Sequence, residues 1–254
     1  MTDKPAGEET FISHLIELRD RLVKAIIGIG IIAAILFIWP SPSVIYDFIA
    51  QPMIDSLPKG SKMIATGVIS PFLVPMKVTL VIAFILALPW VFYQVWAFIA
   101  PGLYQHEKKL VLPLVISSSF LFMAGVAFCY FFVFGRVFNF IGDFAPTSIA
   151  VTPDIENYLD FVMSMCLAFG ATFEVPVVVV ILVRMGMVSV EKLKEIRPYA
   201  VVGAFVIAAI VTPPDVVSQL ALAIPMCLLF ELGLLVAPIF VKATQAPPEE
   251  PAQN

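Results

Sequence analysis

The stretch VTLVIAFILALPWVFYQVWAFIA, residues 78–100, decides the fold, because none of its 23 side chains is charged. A helix needs about 20 mostly apolar residues to cross the roughly 30 Å hydrocarbon core of a bilayer. Trp90, Tyr93 and Trp96 lie towards its end, and such aromatic rings favour the membrane–water interface. The stretch therefore predicts a membrane-spanning helix.

The other apolar stretches extend this prediction to an all-α integral membrane protein with six spanning helices. The six predicted spans are 22–39, 78–100, 110–135, 158–183, 199–211 and 216–241. We expect residues 1–243 to form one transmembrane domain. The tail 244–254, which is rich in Pro, Glu and Gln, is expected to be disordered.

Helices five and six are predicted to be short. The fifth has only 13 residues, or about 20 Å of helix, so it must thin the bilayer or be shielded by its neighbours. Pro225, Glu231 and Pro238 interrupt the sixth. The turn 212–215 contains two prolines and leaves no room for a soluble loop, so we expect the two helices to form a tight hairpin.

Composition excludes several other classes of protein. Of the 254 residues, 60% are hydrophobic and 13% are charged, and the mean hydropathy is +0.98. Soluble domains have about 45–50% apolar and about 25% charged residues. The net charge of −4 argues against a nucleic-acid partner. Cys129, Cys166 and Cys227 lack metal-ligand spacing, and there is no nucleotide-binding motif. We therefore expect neither cofactor nor metal, and no catalytic residues.

Basic residues predict the orientation. With a cytoplasmic amino-terminus, eleven Lys and Arg residues fall on the cytoplasmic side and four on the outer side, as the positive-inside rule requires. Both termini are then cytoplasmic. The segments 40–75 and 136–157 would lie outside, where their Pro, Ile, Phe and Met content favours a folded cap.

Two carboxylates on the cytoplasmic side are candidate binding groups. In the stretch 11–21, His14, Glu17 and Arg21 fall on the side of a helix opposite its apolar residues. Spacing alone favours an ion pair between Glu17 and Arg21, worth about 0.3–0.5 kcal/mol. Glu107 follows a Pro-Gly turn; it could stabilise a helix end or bind a guanidinium at the membrane surface.

Few polar residues fall inside the predicted spans. Glu174, Gln219 and Glu231 are the main ones, with Asp160 and Asp215 near the outer rim. Carboxylates are expensive in hydrocarbon and often functional. A structural role for Glu174 and Glu231 is about as well supported by the sequence as a transport role.

Several motifs, taken in order, resemble TatC, the multispanning core subunit of the twin-arginine protein translocase. The resemblance covers nearly the whole chain. The matching motifs are FISHLIELRDR at 11–21, SPF to Lys77 at 70–77, YQVWAFIAPGLYQHE at 93–107, FGATFEVP at 169–176, RPY at 197–199 and TPPDVVSQ at 212–219, followed by Pro225 and Glu231.

The resemblance implies a receptor in the bacterial cytoplasmic membrane that recognises paired arginines in signal peptides of folded cargo. Its helices would form a concave, glove-like bundle, and the proton-motive force would drive transport. The implied peptide-binding residues are Glu17, Arg19, Phe98, Pro101, Gly102, Leu103, Tyr104 and Glu107. TatA- and TatB-type single-span partners would dock through helices five and six, with Glu174, Asp215, Gln219 and Glu231 as the polar positions.

Two other functions stay open at this point. A proton-coupled transporter could use Glu174 and Glu231 in proline-broken helices; it predicts substrate-dependent proton flux in liposomes. A passive assembly scaffold would use its carboxylates only for helix packing. Neutralising Glu17 or Glu107 would then impair assembly and leave peptide binding intact.

Overall fold

The computed structural model describes residues 6–57, 62–99, 111–144, 152–212 and 215–242. These residues are mostly helical. The helices are α1 (Ala6–Ile38), α2 (Pro42–Ser56), α3 (Ser70–Ile99), α4 (Val111–Phe128), α5 (Phe134–Phe144), α6 (Ile155–Phe173), α7 (Val175–Arg184), α8 (Val190–Glu195), α9 (Arg197–Val211) and α10 (Val216–Lys242). A π-helical turn, Cys129–Val133, joins α4 to α5.

Each predicted span overlaps a described helix, although the bounds differ. The segments long and apolar enough to cross a bilayer are Ser13–Ile38, Ser70–Ile99, Leu112–Asp143, Ile155–Arg184 and Val216–Ile239. The stretch 11–21 is continuous with the first span in α1. The predicted third span likewise continues through the π-helical turn into α5.

The prediction of a short helix five is correct, but the prediction that prolines interrupt and shorten helix six is wrong. Helix α9 has 15 residues, about 22 Å. Helix α10 runs for 27 residues with Pro225 and Pro238 inside it, which is about 40 Å. A break in hydrocarbon would leave backbone groups without hydrogen-bonding partners, so a helix in a membrane continues past proline.

The predicted fourth span is divided at Glu174. This residue ends α6 and begins α7, and its N–H donates to the carbonyl of Ala171 at 3.1 Å. Pro176 follows two residues later, where its fixed φ suits the first turn of a new helix and its missing N–H is not needed. A carboxyl group is thereby placed at a junction between two helices.

Small residues allow α4 and α6 to pack closely. A Cβ added to Gly125 would lie 2.5 Å from the carbonyl oxygen of Phe169, and one added to Gly170 would lie 2.4 Å from the ring of Phe122. Each glycine therefore accommodates an atom of the facing helix. This contact forms part of the core of the bundle.

The predicted cap is folded in its described part. Ile64 donates to the carbonyl of Pro153 at 3.0 Å, and Ile155 donates to the carbonyl of Ile64 at 2.9 Å. The backbone N–H and hydroxyl of Thr66 donate to Asp154 Oδ2 at 3.0 and 2.7 Å. We call these four residues, with Pro153, the clasp.

Further bonds strengthen the clasp. Asp154 Oδ1 accepts hydrogen bonds from the N–H groups of Glu156 and Asn157 and so caps α6. The bond from the Thr66 side chain is the main reason that the pKa of the Asp154 carboxyl lies below its usual range. The hydroxyl of Tyr158 donates to the carbonyl of Ile49 at 3.0 Å, which ties α6 to α2.

Candidate functional site

Helices α1 and α3 approach closely near the opposite end of α3 from the clasp. The indole Nε1 of Trp90 donates to the backbone carbonyl of Lys24 at 2.9 Å. A Cβ added to Gly28 would lie 2.3 Å from Trp90 Cδ1, so only glycine leaves room for the indole here. This contact fixes α1 against α3 just before their polar ends meet.

Five side chains then come together between the two helices. The rings of His14 and Phe98 stack with centroids 4.5 Å apart. Arg21 lies between Glu17 and Gln94, and its guanidinium is 3.4 Å from an oxygen of each. We call these five residues the α1/α3 cluster.

Helix α1 has the polar face and the apolar face that the sequence predicts. His14 and Arg21 contact α3, whereas Leu15, Leu18 and Leu22 on the opposite face are exposed. The sequence did not indicate which face meets the protein. The polar face packs against α3, because the apolar face is suited to contact with lipid.

Gln94 is the member of the α1/α3 cluster that sequence analysis missed. It is buried, with 3% of its surface exposed. The signal was present, since Gln94 is the only amide in the stretch 78–100 and lies one helical turn before Phe98.

The ion pair within the α1/α3 cluster is loose. A charge-assisted N–H···O bond is usually about 2.7–2.9 Å long, whereas Arg21 and Glu17 are 3.4 Å apart, with 26% and 35% of their side chains exposed. The Glu17 carboxylate therefore keeps acceptor positions for a second guanidinium. Arg19 instead pairs with the neighbouring Asp20 at 2.8 Å, where both side chains are exposed.

The rest of the predicted peptide site lies outside the described residues. It comprises Pro101, Gly102, Leu103, Tyr104 and Glu107. In the part that the structure describes, no three His, Cys, Asp or Glu side chains are grouped as metal ligands.

The four intramembrane polar positions do not form one site. Asp215 caps α10 by accepting from the N–H of Ser218 at 2.7 Å, and Glu231 pairs with Arg197 at 2.7 Å. Sixteen residues separate the two carboxylates along the chain, which is about 24 Å of helix. Gln219 Nε2 donates to the carbonyl of Phe205 at 3.3 Å and so joins α10 to α9 in the predicted hairpin.

Glu174 differs from the other three positions. Its Oε1 atom is buried, and the hydroxyl of Ser118 lies beside the carboxyl group as a hydrogen-bond donor. The two groups lie near each other between α4 and the α6–α7 junction. A buried carboxyl group needs such a donor, because a buried polar atom without a partner is costly.

Comparisons with known proteins give a consistent picture. The model of the family described as Sec-independent protein translocase protein (TatC) matches residues 13–225. A protein of that name from Escherichia coli K12 is 50% identical over 233 residues, covering 92% of this chain and 90% of the relative. The one from Haemophilus influenzae is 48% identical and covers 90% of this chain and 89% of the relative. The one from Aquifex aeolicus is 37% identical and covers 87% of this chain and 91% of the relative.

Solved structures agree with the sequence relatives. A crystal structure of the twin-arginine translocase receptor TatC superposes with a TM-score of 0.78 at 36% identity, covering 89% of this chain and 98% of that one. A second, in the detergent DDM, gives a TM-score of 0.79 at 36% identity, with 88% and 99% covered. The prediction of an all-α membrane bundle is therefore confirmed.

Proposed function

Because the chain belongs to the TatC family of Sec-independent protein translocase proteins, we propose that it is the receptor for the paired arginines of signal peptides. As a member of this family it is a membrane-embedded component of a protein translocase, which has a transport role and works with other Tat subunits. The finer proposal concerns what it recognises and where.

The observation that carries this proposal is the loosely held carboxylate of Glu17. The cytoplasmic side is mostly basic, and basic groups alone would repel a twin-arginine ligand. A carboxylate with free acceptor positions would bind a guanidinium through two parallel hydrogen bonds. Lysine cannot form this paired contact, so the geometry supports a preference for arginine.

Phe98 supports the proposal from the second helix. Its ring is already stacked on His14 beside Glu17, and a guanidinium can stack on an aromatic face. We place Arg19, Pro101, Gly102, Leu103, Tyr104 and Glu107 in the same binding surface, as the resemblance implies. Glu107 would supply the second carboxylate for the second arginine.

We propose that the single helices of TatA- and TatB-type subunits dock on α9 and α10. Helix α9 exposes Tyr199, Val202, Val206 and Ile210, a continuous apolar face on a helix too short to span the bilayer. A neighbouring helix would cover this face. Asp215 caps α10, and Gln219 and Glu231 lie along it. We place the buried carboxyl group of Glu174 in the same docking surface, as the resemblance implies.

We further place the chain in the bacterial inner membrane, with both termini cytoplasmic and the proton-motive force as the energy source. The count of eleven basic residues against four supports this orientation. The transporter alternative has less support, because Glu231 is paired with Arg197.

The test is the affinity of the purified chain in detergent for a fluorescent twin-arginine signal peptide and its Lys-Lys variant. The Glu17 side chain is 35% exposed. Neutralising it should therefore cost a binding free energy between those measured for exposed and for buried charge pairs. We expect Glu17→Gln to weaken Arg-Arg binding about ten-fold, or about 1.4 kcal/mol, and to remove the preference over Lys-Lys.

Glu195→Gln is the matched control, since it removes an exposed carboxylate from α8 and should leave the preference unchanged. Equal binding of both peptides by the parent chain, or an unchanged preference in Glu17→Gln, would contradict the proposed receptor site. Loss of partner assembly with intact peptide binding would favour the scaffold.

A further inference from the structure

The exposed face of α6 differs from that of the other long helices. The structure describes all of α6, and its exposed residues are Glu156, Asn157, Asp160, Ser164 and Ala171. At 100° per residue these five form one stripe along the helix, and no large apolar side chain of α6 is exposed. Other long helices do expose such side chains, for example Ile26 and Ile35 on α1 and Ile116 and Phe120 on α4.

Helix α10 gives a comparison at the same depth in the membrane. Asp154 immediately precedes α6, Asp215 immediately precedes α10, and both line one cavity of about 470 Å³, so the two helices begin at the same level. From there α10 exposes three apolar residues spaced four apart, namely Val216, Leu220 and Ile224. At the corresponding turns α6 exposes three polar residues with the same spacing, namely Glu156, Asp160 and Ser164. Because charged side chains are costly in hydrocarbon, this face of α6 does not face lipid.

The charged groups on this face are already bonded within the chain. Lys77 Nζ on α3 donates to Asp160 Oδ1 at 2.9 Å, and 54% and 57% of the two side chains are exposed. The hydroxyl of Ser70 donates to Glu156 Oε2 at 2.9 Å. These groups therefore need no opposite charge from a partner, but their exposed atoms need a polar surrounding. Water meets that need.

We propose that the exposed face of α6 lines a water-filled vestibule that opens beside the clasp and reaches Ser164. Ser70 and Lys77 on α3 belong to its facing wall. Ten residues separate Asp154 from Ser164, about 15 Å of helix, which is half of the roughly 30 Å hydrocarbon core. The vestibule thus admits polar groups of a transported polypeptide to the middle of the bilayer. It shares no residue with the α1/α3 cluster, so it does not depend on the proposed peptide site.

The experiment measures how fast a charged, membrane-impermeant maleimide modifies single cysteines in the full chain, after the three native cysteines have been changed to alanine. The chain is reconstituted in lipid nanodiscs, which expose both faces of the membrane, so its orientation does not affect the result. We expect Ser164→Cys to react within about ten-fold of the rate of Asn157→Cys and at least about 50-fold faster than Ile224→Cys, because the thiolate is the reactive form and apolar surroundings suppress it.

Ile224→Cys is the matched control, because Ile224 lies nine residues after Asp215 and its side chain is 51% exposed. Asn157→Cys marks the rate at the mouth of the vestibule, where Asn157 is exposed next to the clasp. A rate for Ser164→Cys closer to that of Ile224→Cys than to that of Asn157→Cys overturns the proposal. If the cysteine-free chain fails to fold, the native cysteines are kept and the labelling of the parent chain is subtracted.

Discussion

The two ends of α3 meet their neighbours through different kinds of contact. Near Ser70, the clasp joins residues that are about 90 positions apart through bonds of 2.7–3.0 Å, and the hydroxyl of Ser70 itself donates to Glu156 at 2.9 Å. Near Phe98, Arg21 meets Glu17 and Gln94 at 3.4 Å. One end has short and satisfied bonds, whereas the other has long and incomplete ones.

This difference separates a structural role from a binding role. Short bonds between distant segments hold the chain in one arrangement. A partly exposed ion pair at 3.4 Å contributes about 0–1 kcal/mol, so its groups can change partners at little cost. We therefore infer that the clasp end serves as scaffold and that the α1/α3 cluster end is open to a ligand.

The largest expected effect comes from breaking the packing between α4 and α6. Gly125→Ala would place a Cβ 2.5 Å from the backbone carbonyl oxygen of Phe169, and backbone atoms cannot easily move away. We expect the free energy of unfolding to fall by about 3 kcal/mol, the upper end of the usual cost of overpacking. Denaturant titration in detergent micelles measures this change.

Gly30→Ala is the matched control, because a Cβ there meets nothing within 4 Å. It should leave stability unchanged or slightly higher, since alanine favours helix more than glycine does. If the α1/α3 cluster is independent of the contact between α4 and α6, folded Gly125→Ala should still bind a twin-arginine peptide with the affinity of the parent chain. A large drop in affinity would show that the cluster depends on that contact.

The next effect concerns the clasp end alone. Tyr158→Phe removes the hydroxyl that donates to the carbonyl of Ile49 and leaves that carbonyl without this partner. A typical intramolecular hydrogen bond contributes about 0.5–1.5 kcal/mol. We expect a loss of unfolding free energy in that range and no change in peptide affinity. A weakened peptide affinity at unchanged stability would contradict the assignment of this end as scaffold.

Much of this fold could be predicted from the sequence, because lipid imposes simple rules. The uncharged stretch 78–100 predicts its own helix, and the short α9 follows from its 13 apolar residues. The bounds of α10 were predicted to within one residue, but the expected interruption at Pro225 and Pro238 was wrong. Proline usually ends a helix in water, where freed backbone groups bind solvent, but hydrocarbon offers them no such partner.

The candidate site was predicted less completely. The spacing of Glu17 and Arg21 gives their ion pair, since residues four apart share a helical face. The contacts of His14 with Phe98 and of Arg21 with Gln94 join residues more than 70 positions apart. Such contacts depend on how α1 packs on α3, which no local pattern specifies.

The smallest effect is expected from a substitution within the α1/α3 cluster itself. Arg21→Gln removes a like charge and an internal competitor for the Glu17 carboxylate. Stability should change by less than about 1 kcal/mol, because the pair is long and partly exposed. We expect twin-arginine peptide affinity to rise about three-fold at low salt and the gain to shrink at high salt, where charges are screened.

Fluorescence anisotropy titrations at two salt concentrations measure this gain. Lys24→Gln removes an exposed positive charge from the same helix, three residues further on, and should raise affinity by less than two-fold. A loss of affinity in Arg21→Gln would mean that Arg21 orients Glu17 for the ligand. The long contacts of the α1/α3 cluster would then hold the carboxylate in place, and the contrast between the two ends of α3 would lie in exposure alone.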